Sequence, residues 1–212
     1  MTTHRSPSAV AVALLAASIA VSGASAHRPW FNLNGSPDPA HAYRIKDLRT
    51  SQVIYGGFVD AGRIDLYSLE APADFSADLQ VVVPDVPACA AFRPRMTLLG
   101  PNLSATEIAA AIDRLRSPIA TPAATATADA WGTFYEPFTK TTYATGPAIR
   151  KALDGGFYLV AIDEPAGKTG TYGLSLGGSE RRGGDPAFLA KIGPILGCTP
   201  PSLTSGSPTA AS

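Results

Sequence analysis

Three features that the sequence lacks narrow the range of possible functions. Its 17 basic and 17 acidic side chains cancel over 212 residues, so it lacks the basic excess that attracts nucleic acid, and no nucleic-acid partner is expected. Only two cysteines occur, without a Cys-x-x-Cys pair, which excludes a zinc knuckle and a dithiol redox motif. Glycine-rich phosphate-binding motifs are also missing, so a nucleotide cofactor is not expected.

A long hydrophobic run is missing as well. The longest apolar stretch, residues 9–21, has 13 residues, whereas a membrane-spanning helix needs about 20. Arg5 precedes this stretch and Ala24-Ser25-Ala26 follows it, which is the pattern of a signal peptide cleaved after residue 26. A retained membrane anchor is the alternative. The pattern predicts a secreted, periplasmic or cell-envelope protein that begins at His27 and has no transmembrane segment in its mature part.

Turn-forming residues are abundant instead. The chain has 20 glycines and 19 prolines, and 45% of its residues are hydrophobic, which argues against both a helical bundle and a disordered chain. Between the turns lie short runs rich in β-branched and aromatic residues, which predict strands. The predicted strands are residues 52–58, 62–70, 78–83, 95–99, 130–135, 139–143, 148–153, 157–163 and 170–176.

Two helices are predicted among these strands. Ser104 and Glu107 have capping-box spacing at the start of an inserted helix, and Asp185-Pro186 opens a short C-terminal helix whose apolar residues, Leu189 among them, would cover the sandwich. Residues 27–39 are predicted to be a loop. The fold class is therefore all-β, an antiparallel jelly-roll-like β-sandwich with one inserted and one C-terminal helix. We expect a single domain over residues 27–198 and a disordered tail over residues 199–212.

Two segments resemble a known family. The strand with Asp65, Tyr67 and Leu69, and the hairpin with Gly156, Tyr158, Val160, Gly170, Tyr172 and Leu174, are similar to motifs of the bacterial pre-peptidase C-terminal domain. Leucine stands at residue 69 where that family usually has an aromatic residue, and residues 101–130 depart from its pattern. The resemblance implies a jelly-roll-like β-sandwich on an exported protein, often attached to a peptidase and itself non-catalytic.

Several residues are candidates for a structural or binding role. An oxidising compartment would permit a disulfide between Cys89 and Cys198. The stretch containing Trp131 and Tyr135 is rich in aromatic residues, which either fill the core or face a protein or carbohydrate ligand. The acidic pairs 60/65 and 163/164 have oxygen atoms suited to Ca²⁺, but we expect them to be solvated turn residues.

A histidine at the mature N-terminus offers a different function. The α-amine and imidazole of His27 could together chelate one metal ion, and nitrogen ligands of this kind suit Cu(II). Copper-dependent oxygenases and periplasmic copper carriers use such a histidine together with a second one. Here the second would be His41, 14 residues further on. Copper binding, as a carrier or an oxidase, is therefore the alternative function.

A serine motif offers a weaker alternative. Gly173-Leu-Ser-Leu-Gly177 has the spacing of a hydrolase nucleophile elbow, but Ser175 lies inside a predicted strand and no histidine follows residue 41. No catalytic residues are therefore assigned. The sequence favours an exported, non-catalytic binding or structural module without a cofactor, with an unidentified protein or carbohydrate partner.

Overall fold

The computed structural model describes residues 27–101, 103–116, 125–126 and 131–200. The predicted signal peptide, residues 1–26, and most of the predicted disordered tail lie outside these residues. The strands in the described part are β1 (Arg28–Phe31), β2 (Tyr43–Arg44), β3 (Gln52–Phe58), β4 (Ile64–Ala71), β5 (Phe75–Pro84), β6 (Arg95–Leu99), β7 (Thr125–Ala126), β8 (Gly132–Glu136), β9 (Thr141–Leu153), β10 (Gly156–Asp163) and β11 (Gly170–Leu176). The helices are α1 (Ala105–Arg116) and α2 (Phe188–Leu196), with 3₁₀ turns η1 (Pro39–His41) and η2 (Pro87–Cys89).

The strands form the two sheets of a β-sandwich. The larger has the order β1-β3-β11-β5-β9-β8 and the smaller the order β2-β4-β10-β6-β7. The pairs β1–β3 and β2–β4 are parallel, and the other strand pairs are antiparallel. The predicted all-β sandwich is therefore confirmed, with parallel pairing as an addition at one edge of each sheet.

Alternating side chains of the facing strands form the main core. Ile54, Tyr67, Val81, Val160 and Leu174 are fully excluded from solvent there. Each sheet also has a helix on its outer face, so the strands beneath are apolar on both sides. α1 packs Ile112 and Leu115 onto the smaller sheet, and α2 packs Phe188, Ile192 and Ile195 onto the larger one.

The capping box of α1 is present as predicted. The backbone N–H of Ser104 donates to the carboxylate of Glu107 at 2.8 Å, and the N–H of Glu107 donates back to Oγ of Ser104 at 3.3 Å. Two backbone donors that a helix start leaves unpaired are thereby satisfied. In α2 the prediction for Leu189 is wrong, because this side chain is 86% exposed and does not cover the sheet.

Two strand predictions are also wrong, and proline explains both. Residues 28–31 form β1 rather than a loop. Pro29 is compatible with this strand because β1 lies at the edge of the sheet, where a residue without an N–H need not donate a hydrogen bond to a neighbouring strand. The strands predicted on either side of Gly146-Pro147 are one strand, β9. Its pairing with β5 shifts register between Gln80 and Val82, opposite this dipeptide, and such an irregularity accommodates proline inside a sheet.

A disulfide joins the C-terminal segment to the sandwich. Cys89 in η2 is bonded to Cys198, with the two Cα atoms 5.5 Å apart. The Thr171 hydroxyl also donates to the Ile195 carbonyl at 2.7 Å. These two links fix α2, and with it Phe188, against the larger sheet. Within the described residues, neither helix is long and apolar enough to cross a membrane.

Candidate functional site

A small apolar pocket lies on the outer face of the larger sheet, between α2 and the β8–β9 hairpin. Its cavity volume is about 50 Å³. The sheet contributes Val53, Tyr55, Val82, Tyr143 and Ser175, while Phe134, Phe138 and Phe188 project from the hairpin and from α2. Pro29, His27 and Glu136 complete the lining. We call the pocket that these residues line the outer pocket.

Local structure fixes the aromatic wall of the outer pocket. Alternation along β8 places Phe134 and Glu136 on the pocket side. The Glu136 carboxylate then accepts the backbone N–H groups of Phe138 at 3.1 Å and Thr139 at 2.6 Å. These bonds hold the hairpin turn, and the Phe138 ring stacks on Phe188 with 5.3 Å between centroids. Contacts within the protein therefore hold the aromatic wall in place, and no partner is needed to form it.

The floor of the outer pocket is uncharged. Burial raises the pKa of both Tyr55 and Tyr143 above the ordinary value for a phenol, so both side chains stay neutral at physiological pH. Above this floor, Phe134 and Phe138 are each 47% exposed. Exposed aromatic rings around an apolar hollow are typical of a surface that a partner covers.

The predicted ligand-facing aromatics, Trp131 and Tyr135, do not line the outer pocket. Tyr135 is 56% exposed, but it alternates with Phe134 and therefore faces the other side of β8. Trp131 is half-buried against the core, where it covers Gly146 and lies 4.8 Å beneath the guanidinium of Arg93. The pocket rings Phe134 and Phe138 belong to the same aromatic stretch, and the period-two alternation of β8 was a signal that Phe134 and Tyr135 face opposite sides of the strand.

The structure places the two candidate copper ligands outside the strands, next to edge strands of different sheets. His27 directly precedes β1 of the larger sheet and lines the outer pocket, whereas His41 lies in η1, just before β2 of the smaller sheet. Nδ1 of His41 is 2.9 Å from the carboxylate of Asp38. Among the described residues, no group of three or more His, Cys, Asp or Glu side chains is arranged to hold a metal ion.

Ser175 has no activating partner of the kind that its motif requires. It lies in the middle of the ladder, paired with Val53 and Gln80, and not at the strained strand-to-helix turn of a nucleophile elbow. His27 and Glu136 line the same pocket, but no hydrogen bond joins either of them to Ser175 within the described part of the chain. The geometry therefore provides Ser175 with neither a base nor an exposed elbow.

Three of the four acidic residues that were predicted to be solvated, Asp65, Asp163 and Glu164, are buried, which corrects the prediction for them, whereas Asp60 is exposed as expected. Asp65 accepts the Tyr172 hydroxyl at 2.5 Å and the Ser36 N–H at 3.0 Å, and the hydroxyls of Tyr172 and Tyr67 are 2.7 Å apart. Burial raises the pKa of Asp65 despite these bonds. The motif residues Asp65, Tyr67 and Tyr172 thus form a polar network inside the core, so this part of the family resemblance concerns packing.

The second acidic pair is also used internally. Nε of Arg95 lies 2.8 Å and 2.9 Å from the two carboxylate oxygens of Asp163, and a terminal guanidinium nitrogen donates to the Leu115 carbonyl at 2.9 Å. Desolvation nevertheless raises the pKa of Asp163. Glu164 accepts the backbone N–H of Lys168 at 2.6 Å. These carboxylates bind their neighbours, and Arg95 attaches the C-terminal turn of α1 to the sandwich.

Comparisons with known proteins show similarity in structure only. No family model and no curated protein sequence matches the chain. Its structure is similar to the pre-peptidase C-terminal domain of a collagenase from Bacillus anthracis, with 16% identity and a TM-score of 0.38, covering 65% of this chain and 96% of that one. It is also similar to PliG of Aeromonas hydrophila, a periplasmic inhibitor of g-type lysozyme, with 12% identity and a TM-score of 0.36, covering 72% of this chain and 98% of that one. At these TM-scores the two similarities carry no inference about what this chain binds.

Proposed function

We propose that this protein is an exported, non-catalytic binding module whose outer pocket receives an apolar or aromatic side chain of a protein partner. The observation that carries the proposal is the preformed aromatic wall. Phe134 and Phe138 are each 47% exposed beside a pocket whose tyrosine floor is uncharged, and the hairpin turn bonded to Glu136, together with α2, holds these rings in place.

The size of the outer pocket favours a protein side chain over a free small molecule. Pockets for drug-sized ligands enclose about 300–1,000 Å³, whereas this one encloses about 50 Å³. Such a volume admits the tip of one side chain, and the surrounding rings offer a flat rim for the rest of it. A buried anchor encircled by exposed apolar contacts is the arrangement of an interface hot spot.

The exposed rings supply a substantial part of the free energy that binding a partner requires, and further contacts must offset the cost of association. Phe134 and Phe138 each leave 47% of their surface in water, which is about 90 Å² per ring for an aromatic side chain of roughly 200 Å². At about 25 cal/mol per Å², covering both rings contributes about 4 to 5 kcal/mol. Truncation of both should therefore weaken binding by well over about tenfold.

Export rests on two features of the chain. A signal-peptide pattern ends at Ala26, and a disulfide such as Cys89–Cys198 persists in oxidising compartments. Mass spectrometry of the protein recovered from an exporting host tests this part of the proposal. A mature chain starting at His27 is expected; a chain that retains its first residues would contradict cleavage.

Selection from a peptide library tests the outer pocket although its partner is unidentified. A phage-displayed library of random peptides is selected on the wild-type protein and, in parallel, on Phe134→Ala/Phe138→Ala. Peptides that depend on the pocket should share an apolar or aromatic anchor and bind Phe157→Ala as well as wild type. Phe157 is a matched control because it is a 52% exposed phenylalanine on the smaller sheet. The proposal would be refuted if the same peptides were enriched on wild type and on Phe134→Ala/Phe138→Ala, or if no peptide were enriched on wild type.

Copper binding stays a separate hypothesis that rests on His27 alone. Calorimetric titration of the mature protein with Cu(II) should distinguish the two functions. Tight binding that is lost in His27→Ala would support the copper hypothesis, whereas equal heats for both proteins would contradict it. Peptide binding at the outer pocket is expected to persist when a chelator is present.

A further inference from the structure

A second cleft opens at the side of the sandwich, where the edge strands of the two sheets face each other. β1 ends the larger sheet and β2 ends the smaller one, and the cleft along them has a volume of about 470 Å³. Alternation along β1 directs Pro29 to the outer pocket and Arg28 and Trp30 to this cleft. The two sites are therefore separate. We call the second one the edge cleft.

Two half-buried aromatic rings line the edge cleft. Trp30 pairs with Ile54 and packs against the main core. Tyr43 comes from β2, and its ring centroid is 5.7 Å from that of Tyr67. Both rings are thus supported from behind by core residues while they line an open cleft. Rigid aromatic faces of this kind stack on flat, weakly polar faces of a ligand.

Positive charge surrounds these rings. Arg28, Arg44 and Lys46 line the edge cleft together with one acidic residue, Asp47. The carboxylate of Asp47 is engaged already, since it accepts the Thr50 hydroxyl at 2.6 Å and lies 3.9 Å from Arg28. Among the described residues, neither Arg44 nor Lys46 has an ion-pair partner, and both are exposed. A neutral protein thus carries a local surplus of cations at one cleft.

The segment that carries Lys46 and Asp47 is held in position. The buried amide of Gln52 donates to the Lys46 carbonyl at 2.9 Å and to the Asp47 carbonyl at 3.0 Å. Asp47 has a φ of 57°, and the N–H of Thr50 closes the turn on its carbonyl at 3.1 Å. Because the backbone is fixed, only the ends of the long basic side chains lose freedom when they bind an anion, which lowers the entropic cost of binding.

We infer that the edge cleft binds an acidic saccharide, with a sugar ring stacked on Trp30 and its carboxylates paired with Arg44 and Lys46. The cleft volume of about 470 Å³ falls within the range of sites that enclose a small ligand. Arginine matches a carboxylate through two parallel hydrogen bonds, and lysine adds a point charge. The occupant is a uronate-containing oligosaccharide, and it binds independently of the protein partner proposed for the outer pocket.

Tryptophan fluorescence reports directly on the edge cleft. The chain has two tryptophans, so Trp131→Phe leaves Trp30 as the single indole. Titration of this variant with trigalacturonate should change the emission saturably. Maltotriose, which has the same number of sugar rings but no charge, should bind at least about tenfold more weakly. Added salt should weaken the binding of trigalacturonate because the contacts are ionic.

A pair of charge variants makes the test specific. In the Trp131→Phe background, Arg44→Gln/Lys46→Gln should reduce the affinity for trigalacturonate at least about tenfold. Lys151→Gln/Lys168→Gln removes the same net charge from exposed sites elsewhere and should stay within about twofold of its parent. Phe134→Ala/Phe138→Ala should have no effect, which separates this inference from the proposed function.

Three results would overturn the inference. One is a lack of any emission change up to about 1 mM trigalacturonate, and another is equal weakening by the two charge-variant pairs. The third is tighter binding of a single-stranded oligonucleotide than of trigalacturonate, which would indicate a nucleic-acid groove. Circular dichroism of each variant confirms that the fold is retained in every comparison.

Discussion

Removal of the disulfide should cost a large share of the stability of this protein. Cys89 and Cys198 are 109 residues apart in sequence, so their bond closes a loop that contains strands β6 to β11 and both α-helices. In the loop-entropy model, a cross-link of that span destabilises the unfolded chain by about 5 kcal/mol at 25 °C. Domains of this kind have total stabilities of about 5–15 kcal/mol.

The perturbation is the double variant Cys89→Ala/Cys198→Ala. Both cysteines are buried, and α2 keeps its contacts through Phe188, Ile192 and Ile195, so the folded state should change little. Since removal of a native disulfide from a secreted domain typically costs about 2–5 kcal/mol, we expect a loss of unfolding free energy in that range. Urea denaturation followed by circular dichroism measures it.

The reduced wild-type protein serves as the control. It lacks the same cross-link without any change of sequence, so its stability should agree with that of the double variant within about 1 kcal/mol. A loss below about 1 kcal/mol in both proteins would refute the reasoning. It would mean that the cross-link does not constrain the unfolded chain as the loop-entropy model assumes.

The remaining predictions concern the core. Arg95→Met should lower the free energy of unfolding by about 3–5 kcal/mol because it leaves the Asp163 carboxylate buried and unpaired. In urea denaturation, Arg95→Met/Asp163→Asn should recover part of this loss. Equal losses in the single and the double variant would contradict the pairing. Burial raises the pKa of Asp65 above its ordinary value of 3.8, so the folded state takes up this proton first. The stability of wild type relative to Asp65→Asn should therefore increase as the pH falls from about 7 to about 4. A stability difference between the two proteins that does not change with pH would contradict this prediction. Gly170→Ala should lower the free energy of unfolding by about 1–3 kcal/mol, because the added Cβ would lie 2.5 Å from a carbon of a core aromatic ring. Gly178→Ala is the matched control, because its Cβ would have no neighbour within 4 Å. Similar melting temperatures for the two variants would disprove the clash.

Features that depend on neighbours in sequence were predictable. The capping box of α1 needs only Ser104 and Glu107, three residues apart, and both hydrogen bonds are present. The apolar run in β10 predicted a central strand covered on both sides, and β10 lies in the middle of the smaller sheet with α1 over Leu159 and Ala161. Each of these patterns depends only on residues that are close together in the sequence, so the sequence alone was enough to interpret them.

Features that depend on distant strands were not predictable in the same way. Pro29 argues against a strand until β1 is known to lie at the edge of a sheet, and Gly146-Pro147 breaks β9 unless β5 shifts its register opposite. The outer pocket was missed for a similar reason. Which of Phe134 and Tyr135 faces the pocket depends on where α2 packs, and α2 is about 50 residues further along the chain.

The acidic residues show the same dependence for electrostatics. Asp163 was expected to be solvated because it ends a strand before a polar turn. In the folded protein, Arg95 and the end of α1 enclose it, and those partners come from elements that are distant in sequence. Burial of a charge is thus decided by tertiary contacts, whereas local patterns describe only the turn that carries it.

The most direct test of the proposed function is a calorimetric titration of the strongest selected peptide into three proteins: wild type, Phe134→Ala/Phe138→Ala and Phe157→Ala. The outer pocket predicts that wild type and Phe157→Ala bind the peptide with the same affinity, and that the pocket variant binds it at least about tenfold more weakly. Equal affinity for all three proteins would contradict the claim that this surface is the binding site.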